Sequence, residues 1–298
     1  MTILVTGVTG QLATALAQQG GVAIRRAGRP EFDFDHPKTI AATVQQLQPR
    51  LVVNAAAWTA VDLAEQEPDA AMRANRDGPA ALARLCAAAG IPLIHVSTDY
   101  VFDGNKGAPY VETDPTNPTA GYGVTKLAGE HAVLEACPRA IILRTAWVYS
   151  ATGKNFVKTM LAAAQKMDRL RVVADQKGCP TSASDLAAAI LAIAARLDDG
   201  WQEGFAGIYH AAGQGWTTWH GLATAVFDAA APFGHKIPIV DPIRTEDWPT
   251  PARRPPDSRL DCSKLAHTFG IQPPEWRASV ARTVAELLGA PPSGAAQG

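Results

Sequence analysis

Cysteine is scarce in this sequence and never paired at metal-binding spacing. Four occur in 298 residues (Cys86, Cys137, Cys179 and Cys262), with no CxxC. That excludes a zinc or disulfide framework and reads as reduced thiols in a cytoplasmic protein. An excess of charge of either sign is also missing. The 27 lysines and arginines stand against 28 aspartates and glutamates, for a net charge of −1. No nucleic-acid or membrane-surface partner is expected from that balance. No apolar run reaches the roughly 18 residues of a membrane span. The N-terminus enters an apolar strand at once, without the basic stretch and cleavage site of a secretory signal. Apolar residues are plentiful at 47%, enough for a sizeable core.

The first apolar run, ThrIleLeuValThrGly at 2–7, reads as a buried parallel strand. Gly7-Val-Thr-Gly10-Gln-Leu-Ala13 follows and opens a helix. Glycines there permit a tight turn and close backbone approach, and the helix N-terminus offers free N–H groups to a pyrophosphate. Ala13 stands at the helix-packing position of the dinucleotide fingerprint. The second strand is expected at ValAlaIle 22–24, followed by Arg25 and Arg26 where an acid would favour NAD. Guanidinium groups there suit a 2′-phosphate, so NADPH is expected over NADH, with NADH as the alternative. Asp33 and Phe34 are candidates for the adenine edge and face, and Asp35 for a helix cap before Pro37. LeuValValAsnAlaAlaAla at 51–57 is another buried strand ending in small residues, which let a cofactor lie close. A long helix is expected from about Pro68 to Ala89, with Asn75 as a surface polar residue on it.

The strand at 92–97 delivers Ser97 and Thr98 to the carboxyl edge of the sheet, and His95 within it reads as a core imidazole. Tyr122 and Lys126 then stand four apart, on one face of a helix. A free phenol titrates near about 10, and an ammonium beside it favours the phenolate. With a hydroxyl from Ser97 or Thr98 to bind the substrate oxygen, this is the chemistry of a ketone–alcohol redox site. It needs a hydride from a cofactor. Strand and helix alternate up to the strand at 141–147, which predicts an α/β fold with a Rossmann-like doubly wound parallel sheet. Beyond it, Trp201, Trp216, Trp219, Trp248 and Trp276 cluster, as packing or as pocket walls. The Pro-stiffened loop at 250–260 presents Arg253 and Arg254 to an anionic ligand.

TGxxGxxA, the NAAA run, STDYVF, YGxTKLAGE, RTxWVY, NFVKTM, PT at 180–181 and TPARRPxxSRL occur in this order. From Met1 to about Leu288 the chain thereby resembles the dTDP-4-dehydrorhamnose reductase family of extended short-chain dehydrogenase/reductases. YxxxK alone marks only the superfamily; STDYVF with the arginine loop is far more specific. The resemblance implies NAD(P)H-dependent reduction of a dTDP-4-keto sugar at C4. Tyr122 would be the proton donor, Lys126 its partner and Thr98 the hydroxyl that tunes it. Gly10, Gln11 and Leu12 would hold the pyrophosphate, Asp33 and Phe34 the adenosine, and Ala56, Ala57 and Thr59 the cofactor wall. Thr98, Asp99 and Trp147 would meet the sugar nucleotide.

Some members of that family hold magnesium through acidic residues at a homodimer contact. The corresponding positions here carry Ala15 and Ser184, so no metal and a monomer or weak homodimer are expected. Three activities remain open. One is this reduction. The second is another nucleotide-sugar ketoreductase, epimerase or dehydratase, and Tyr100 in place of a dehydratase's glutamate favours simple reduction. The third is a non-catalytic regulatory subunit like that of methionine adenosyltransferase, which retention of Thr98, Tyr122 and Lys126 argues against. The expected layout is a cofactor domain at 1–146 with a return at about 206–230. A smaller mixed α/β substrate-binding region covers 147–205 and 231–288, and a disordered tail follows at 289–298.

Overall fold

The computed structural model describes residues 2–289; the expected tail, apart from Gly289, lies outside them. In chain order the strands are β1 (Ile3–Thr6), β2 (Ile24–Ala27), β3 (Leu51–Asn54), β4 (Leu93–Thr98), β5 (Ala140–Thr145), β6 (Val148–Tyr149), β7 (Arg169–Val173), β8 (Lys177–Gly178), β9 (Thr181–Ser182), β10 (Gly207–His210), β11 (Thr217–Thr218) and β12 (Ile239–Ile243). The α-helices are α1 (Gln11–Gly20), α2 (Pro37–Leu47), α3 (Pro68–Met72), α4 (Gly78–Ala88), α5 (Gly121–Ala136), α6 (Phe156–Lys166), α7 (Ala183–Asp198), α8 (Trp219–Ala230), α9 (Ser263–Phe269) and α10 (Trp276–Leu288).

Six strands form one sheet in the order β10-β5-β4-β3-β1-β2, every pair parallel. Strand period two divides β1 between two cores. Ile3 and Val5 pack with Leu16 of α1 and Ile190 of α7, while Leu4 packs with Ile40 of α2, Leu82 of α4 and Val133 of α5. Helices thus cover both faces, which is why the strands are apolar throughout. The fold is α/β and Rossmann-like, as its alternation predicts. A third core joins α6, α8 and α10 over the small β7–β12 sheet.

The expected division shifts at two helices. α7, drawn with the substrate region, contributes Ala183, Leu186, Ala187, Ile190 and Ile193 to the main core against α1. α8, drawn with the returning segment, packs instead on α10 and α6. Strand two also starts later than expected, because Gly21–Ala23 form a 3₁₀ turn. Arg25 and Arg26 therefore lie inside β2, opposite Leu4 and Val5, and Arg29 is the guanidinium that follows the strand.

The helical run from Pro68 to Ala88 is continuous but passes through a π-helical turn at Arg73–Asp77. Asn75 sits in it fully buried, not on the surface. Its Oδ1 accepts from Trp58 N–H (2.8 Å), and its Nδ2 donates to Trp58 C=O (3.1 Å) and Thr125 Oγ1 (3.0 Å). The extra residue of such a turn pushes a carbonyl outward, and α5 accommodates it with Gly129. A Cβ on Gly129 would stand 2.0 Å from the Asn75 carbonyl oxygen. Gly129→Ala is therefore expected to destabilise by about 1–3 kcal/mol through backbone overpacking. An unchanged urea midpoint would refute this packing.

Candidate active site

The sheet order reverses between β1 and β3. Open α/β sheets bind ligands in the crevice at such a point, beyond the carboxyl ends of the strands. A cleft of about 1170 Å³ opens there, running from Arg29 and Asp33 past Gly7–Leu12 and Ala55–Thr59 to Thr98, Tyr122, Lys126 and Trp147. All of these are residues the sequence had singled out, apart from Arg29. It brings together every expected catalytic residue and every expected cofactor residue except Arg25 and Arg26.

At the middle of the cleft, Gly7 has φ 89°, and a Cβ there would stand 3.2 Å from the Ala56 Cα. Only glycine fits both conditions. The first intrahelical bond of α1 runs from Thr14 N–H to Gly10 C=O (2.9 Å). The N–H groups of Gln11, Leu12 and Ala13 precede it and face no helical acceptor. Such a terminus, with the small floor of Ala55–Ala57, is a cradle for a pyrophosphate. Arg26 braces the turn from outside, donating to Val8 C=O at 2.8 Å.

At the adenosine end, Arg29 donates to Asp33 (2.9 Å) and Asp35 (2.6 Å). Asp35 also takes Arg73 at 3.2 Å and makes no cap on α2, whose N-cap is His36 without a side-chain bond. Phe34 lies over Gly78, where a Cβ would come within 2.2 Å of its ring. Arg29 was missed because the end of strand two was placed too early, on Arg25 and Arg26; Arg73 comes from the π-helical turn and meets Asp35 only through the fold.

At the other end, strand alternation separates the two candidate hydroxyls. Ser97 turns away and donates to Glu130 of α5, whereas Thr98 Oγ1 bonds Asp99 Oδ1 at 3.1 Å and accepts from Tyr100 N–H at 3.2 Å. Asp99 is buried, and its Oδ2 has no partner among the described residues. Burial pushes that carboxyl up to about 7, with the Thr98 hydroxyl on Oδ1 acting the other way. Tyr122 meets Tyr100 edge-on, with ring centroids 5.8 Å apart. Burial pushes its phenol up to about 12; a bond with Thr98 acts the other way and the Asp99 charge adds to the rise. Lys126 does not lower it here, because its Nζ donates to Val96 C=O (2.7 Å) and faces His95 Nε2 (3.4 Å). Burial in turn brings Lys126 down to about 8, opposed by the Glu130 charge. His95 is fully buried, as its place in the strand predicted.

Trp147 has φ 48°, a strained backbone for a bulky residue. Its indole is clamped. Trp219 stacks on one side (3.6 Å, 6° between planes), and a Cβ at Gly178 would meet Trp147 Cε2 at 2.3 Å on the other. The two arginines of the Pro-rich loop part company. Arg254 is held by both Asp62 oxygens (2.5 and 2.8 Å) and by Ala252 C=O. Arg253 is exposed on a smaller cavity of about 440 Å³ with Trp248, Asp175 and Thr245. Trp219, one of the tryptophans left open between packing and pocket wall, lines the main cleft; Lys154 lines it too and carried no motif signal. Among the described residues, no group of three or more His, Cys, Asp or Glu is placed to hold a metal ion. No helix among them is long and apolar enough to cross a membrane.

Residues 1–288 match the family described as "RmlD substrate binding domain". The dTDP-4-dehydrorhamnose reductase of Sinorhizobium fredii is 48% identical over 291 residues, covering 97% of this chain and 98% of that protein. The dTDP-4-dehydrorhamnose reductase of Clostridium acetobutylicum superposes with a TM-score of 0.90 at 35% identity, covering 97% of this chain and all of that one. The Bacillus anthracis reductase, solved in complex with NADP, gives 0.88 at 31%, covering 96% and 100%. With a Gly-turn cradle leading to Thr98, Tyr122 and Lys126 in one cleft, and with this likeness along nearly its whole length, the chain belongs to the dTDP-4-dehydrorhamnose reductase family.

Proposed function

We propose that this protein reduces the C4 ketone of dTDP-4-dehydro-β-L-rhamnose to dTDP-β-L-rhamnose with NADPH, the last step in making that sugar nucleotide. The observation that carries the reading is the convergence of Thr98, Tyr122 and Lys126 at one end of a cleft whose middle is a pyrophosphate cradle. The cradle fits the cofactor: Gly7 admits the backbone approach, Gln11 and Leu12 offer N–H groups, and Ala56, Ala57 and Thr59 form the wall. NADPH, when bound, supplies the hydride. Tyr122 donates its phenolic proton to the ketone oxygen, and Thr98 holds that oxygen in line. Lys126 presents an ammonium, when protonated, to the developing phenolate and the ribose. Asp99 and Trp147 meet the sugar. Arg253, rather than the internally paired Arg254, is the cation available to the nucleotide diphosphate. Tyr100 at the position of a dehydratase's glutamate leaves no second base for elimination.

The test is loss of nicotinamide absorbance on substrate made in situ from dTDP-glucose by a dehydratase and an epimerase, with dTDP-rhamnose identified as the product. A protein that binds NADPH and oxidises none of it would overturn the reading. NADPH preference rests on Arg29 at the end of β2, supported by Arg26. Arg29→Ala is expected to lower kcat/KM for NADPH roughly tenfold more than for NADH, the worth of one charge-assisted bond. The doubly substituted Arg25→Asp, Arg26→Ala protein is expected to shift that ratio less. An unchanged ratio in Arg29→Ala would remove Arg29 from the 2′-phosphate.

We also propose a cytoplasmic protein acting as a monomer or weak homodimer. Ala15 is buried in α1 against α7, and Ser184 is bonded to Gln19 (2.9 Å), so neither position offers magnesium a carboxylate. Light scattering with and without magnesium decides this; a magnesium-dependent dimer would refute it.

A further inference from the structure

A file of buried polar side chains runs from the cofactor wall through the sheet to the active-site lysine. Ala56 N–H donates to Thr6 Oγ1 (3.1 Å), and Thr6 bonds Asn54 Oδ1 (2.6 Å). Asn54 Nδ2 then meets His95 Nδ1 (2.8 Å), and His95 Nε2 meets Lys126 Nζ (3.4 Å). Thr6 and His95 are 0% exposed, Asn54 1% and Lys126 2%, so no solvent intervenes.

The direction of these bonds follows from Thr6. Its Oγ1 accepts from Ala56 N–H, and the one acceptor within reach of its own proton among the described residues is the Asn54 carbonyl, so it donates there. Asn54 must then turn its amide nitrogen, a donor, on His95 Nδ1. Nδ1 is therefore the lone-pair nitrogen, and in a neutral imidazole the proton sits on Nε2. That N–H points at Lys126, whose ammonium has only donors to offer. The imidazole stays neutral, because burial and the Lys126 charge hold it well below its usual range.

We propose that His95 is a positioning residue for the reduction: its tautomer, set from Ala56 through Thr6 and Asn54, turns an N–H on Lys126 and keeps that lysine poised between ammonium and free amine. The inference rests on the reductase reading above. The other groups around Lys126 are Tyr122 and Glu130 on its own helix, with Arg144 of β5 behind Glu130 and Asp99 at the end of β4. The π-helical turn presents the uncharged Asn75. Glu130 and His95 thus pull the lysine in opposite directions. In the proposed reaction the ammonium turns from Val96 C=O towards the ribose and Tyr122. There it stabilises the phenolate that forms, so kcat is expected to fall as pH rises through the Lys126 titration.

Two substitutions separate bond direction from mere packing. His95→Gln keeps the order, with Oε1 accepting from Asn54 and Nε2 donating towards Lys126. Its alkaline limb of kcat is expected within a few tenths of a pH unit of the wild-type limb. His95→Glu presents acceptors to both neighbours and a negative charge to the lysine. Its limb is expected about one unit or more higher, so that well above the wild-type limb it keeps about tenfold more of its own plateau rate. Limbs at one pH in all three proteins, whatever the plateau rates, would overturn the proposal. Nitrogen-15 NMR of histidine-labelled wild-type protein gives an answer independent of activity and of how the variants fold. Two non-titrating imidazoles are expected, since His95 and His210 are both fully buried. His210 bonds the Tyr110 and Asp261 carbonyls through Nδ1 (3.1 Å each) and so carries its proton there. The other ring is expected with bare Nδ1 and protonated Nε2, and two non-titrating rings both protonated at Nδ1 overturn the proposal. Failure to turn over any ketone would refute the reductase reading and leave the NMR result to decide this one.

Discussion

Tyr122→Phe is expected to lower kcat by about 10²–10⁴-fold, the usual worth of a general acid, while leaving NADPH affinity nearly unchanged. Only the hydroxyl is lost. The phenylalanine ring keeps the edge contact with Tyr100, 5.8 Å between centroids, and the Gly-turn cradle lies elsewhere in the cleft. The protonation state supports the assignment. Burial raises the phenol to about 12, so at neutral pH it carries the proton that a reductase must give away. The donor is therefore present throughout the ordinary pH range and disappears only as pH rises through that value. Single-turnover rates with saturating NADPH, beside a fluorescence titration of cofactor binding, make the check. A variant retaining more than about a tenth of the rate would remove Tyr122 as the acid.

The largest effect on stability is expected from Arg144→Met. Arg144 and Glu130 form a buried ion pair directly behind the active site, 2% and 0% exposed at the side chain. Arg144 Nε and Nη2 reach the carboxylate at 2.9 and 2.6 Å, and Ser97 donates to the same group. Removing the guanidinium leaves a carboxylate in a dry core with one hydroxyl on it, which costs about 3–5 kcal/mol. Replacing both partners by methionine is expected to recover most of that loss, because the desolvation cost of the carboxylate goes with it. Urea unfolding of the two single variants and the double variant completes the cycle. An Arg144→Met midpoint indistinguishable from wild type would mean that the pair is not dry. The cycle also bears on catalysis, since Glu130 lies one helical turn beyond Lys126 and favours its ammonium.

The sheet was legible because parallel strands buried on both faces are written as short apolar runs, and the one at 51–54 ends in the alanines the cleft requires. The pyrophosphate turn was legible because glycine at a positive φ is a local demand that neighbours cannot override. What escaped were features decided at a distance. Asn75 reads as a surface residue on a helical face until the π-helical turn and the Trp58 backbone claim its amide. α7 is apolar around most of its circumference, so periodicity alone did not say which core it joins. A 3₁₀ turn of three residues moved the end of β2 and with it the arginine beside the cleft. His95 was correctly read as buried, but its contact with Lys126 joins two elements 31 residues apart, and no spacing rule reports such a pair.

The clamp on Trp147 constrains the order in which the chain can change. A side chain at position 178 and the present placement of the Trp147 indole are mutually exclusive, since a single Cβ would lie 2.3 Å from the ring. A lineage that first lost the indole would be free to fill position 178. Once it had done so, the road back to tryptophan would be closed until that second change was itself reversed. The pair is an epistatic ratchet, and a library that randomises position 147 alone, with glycine kept at 178, samples only one side of it.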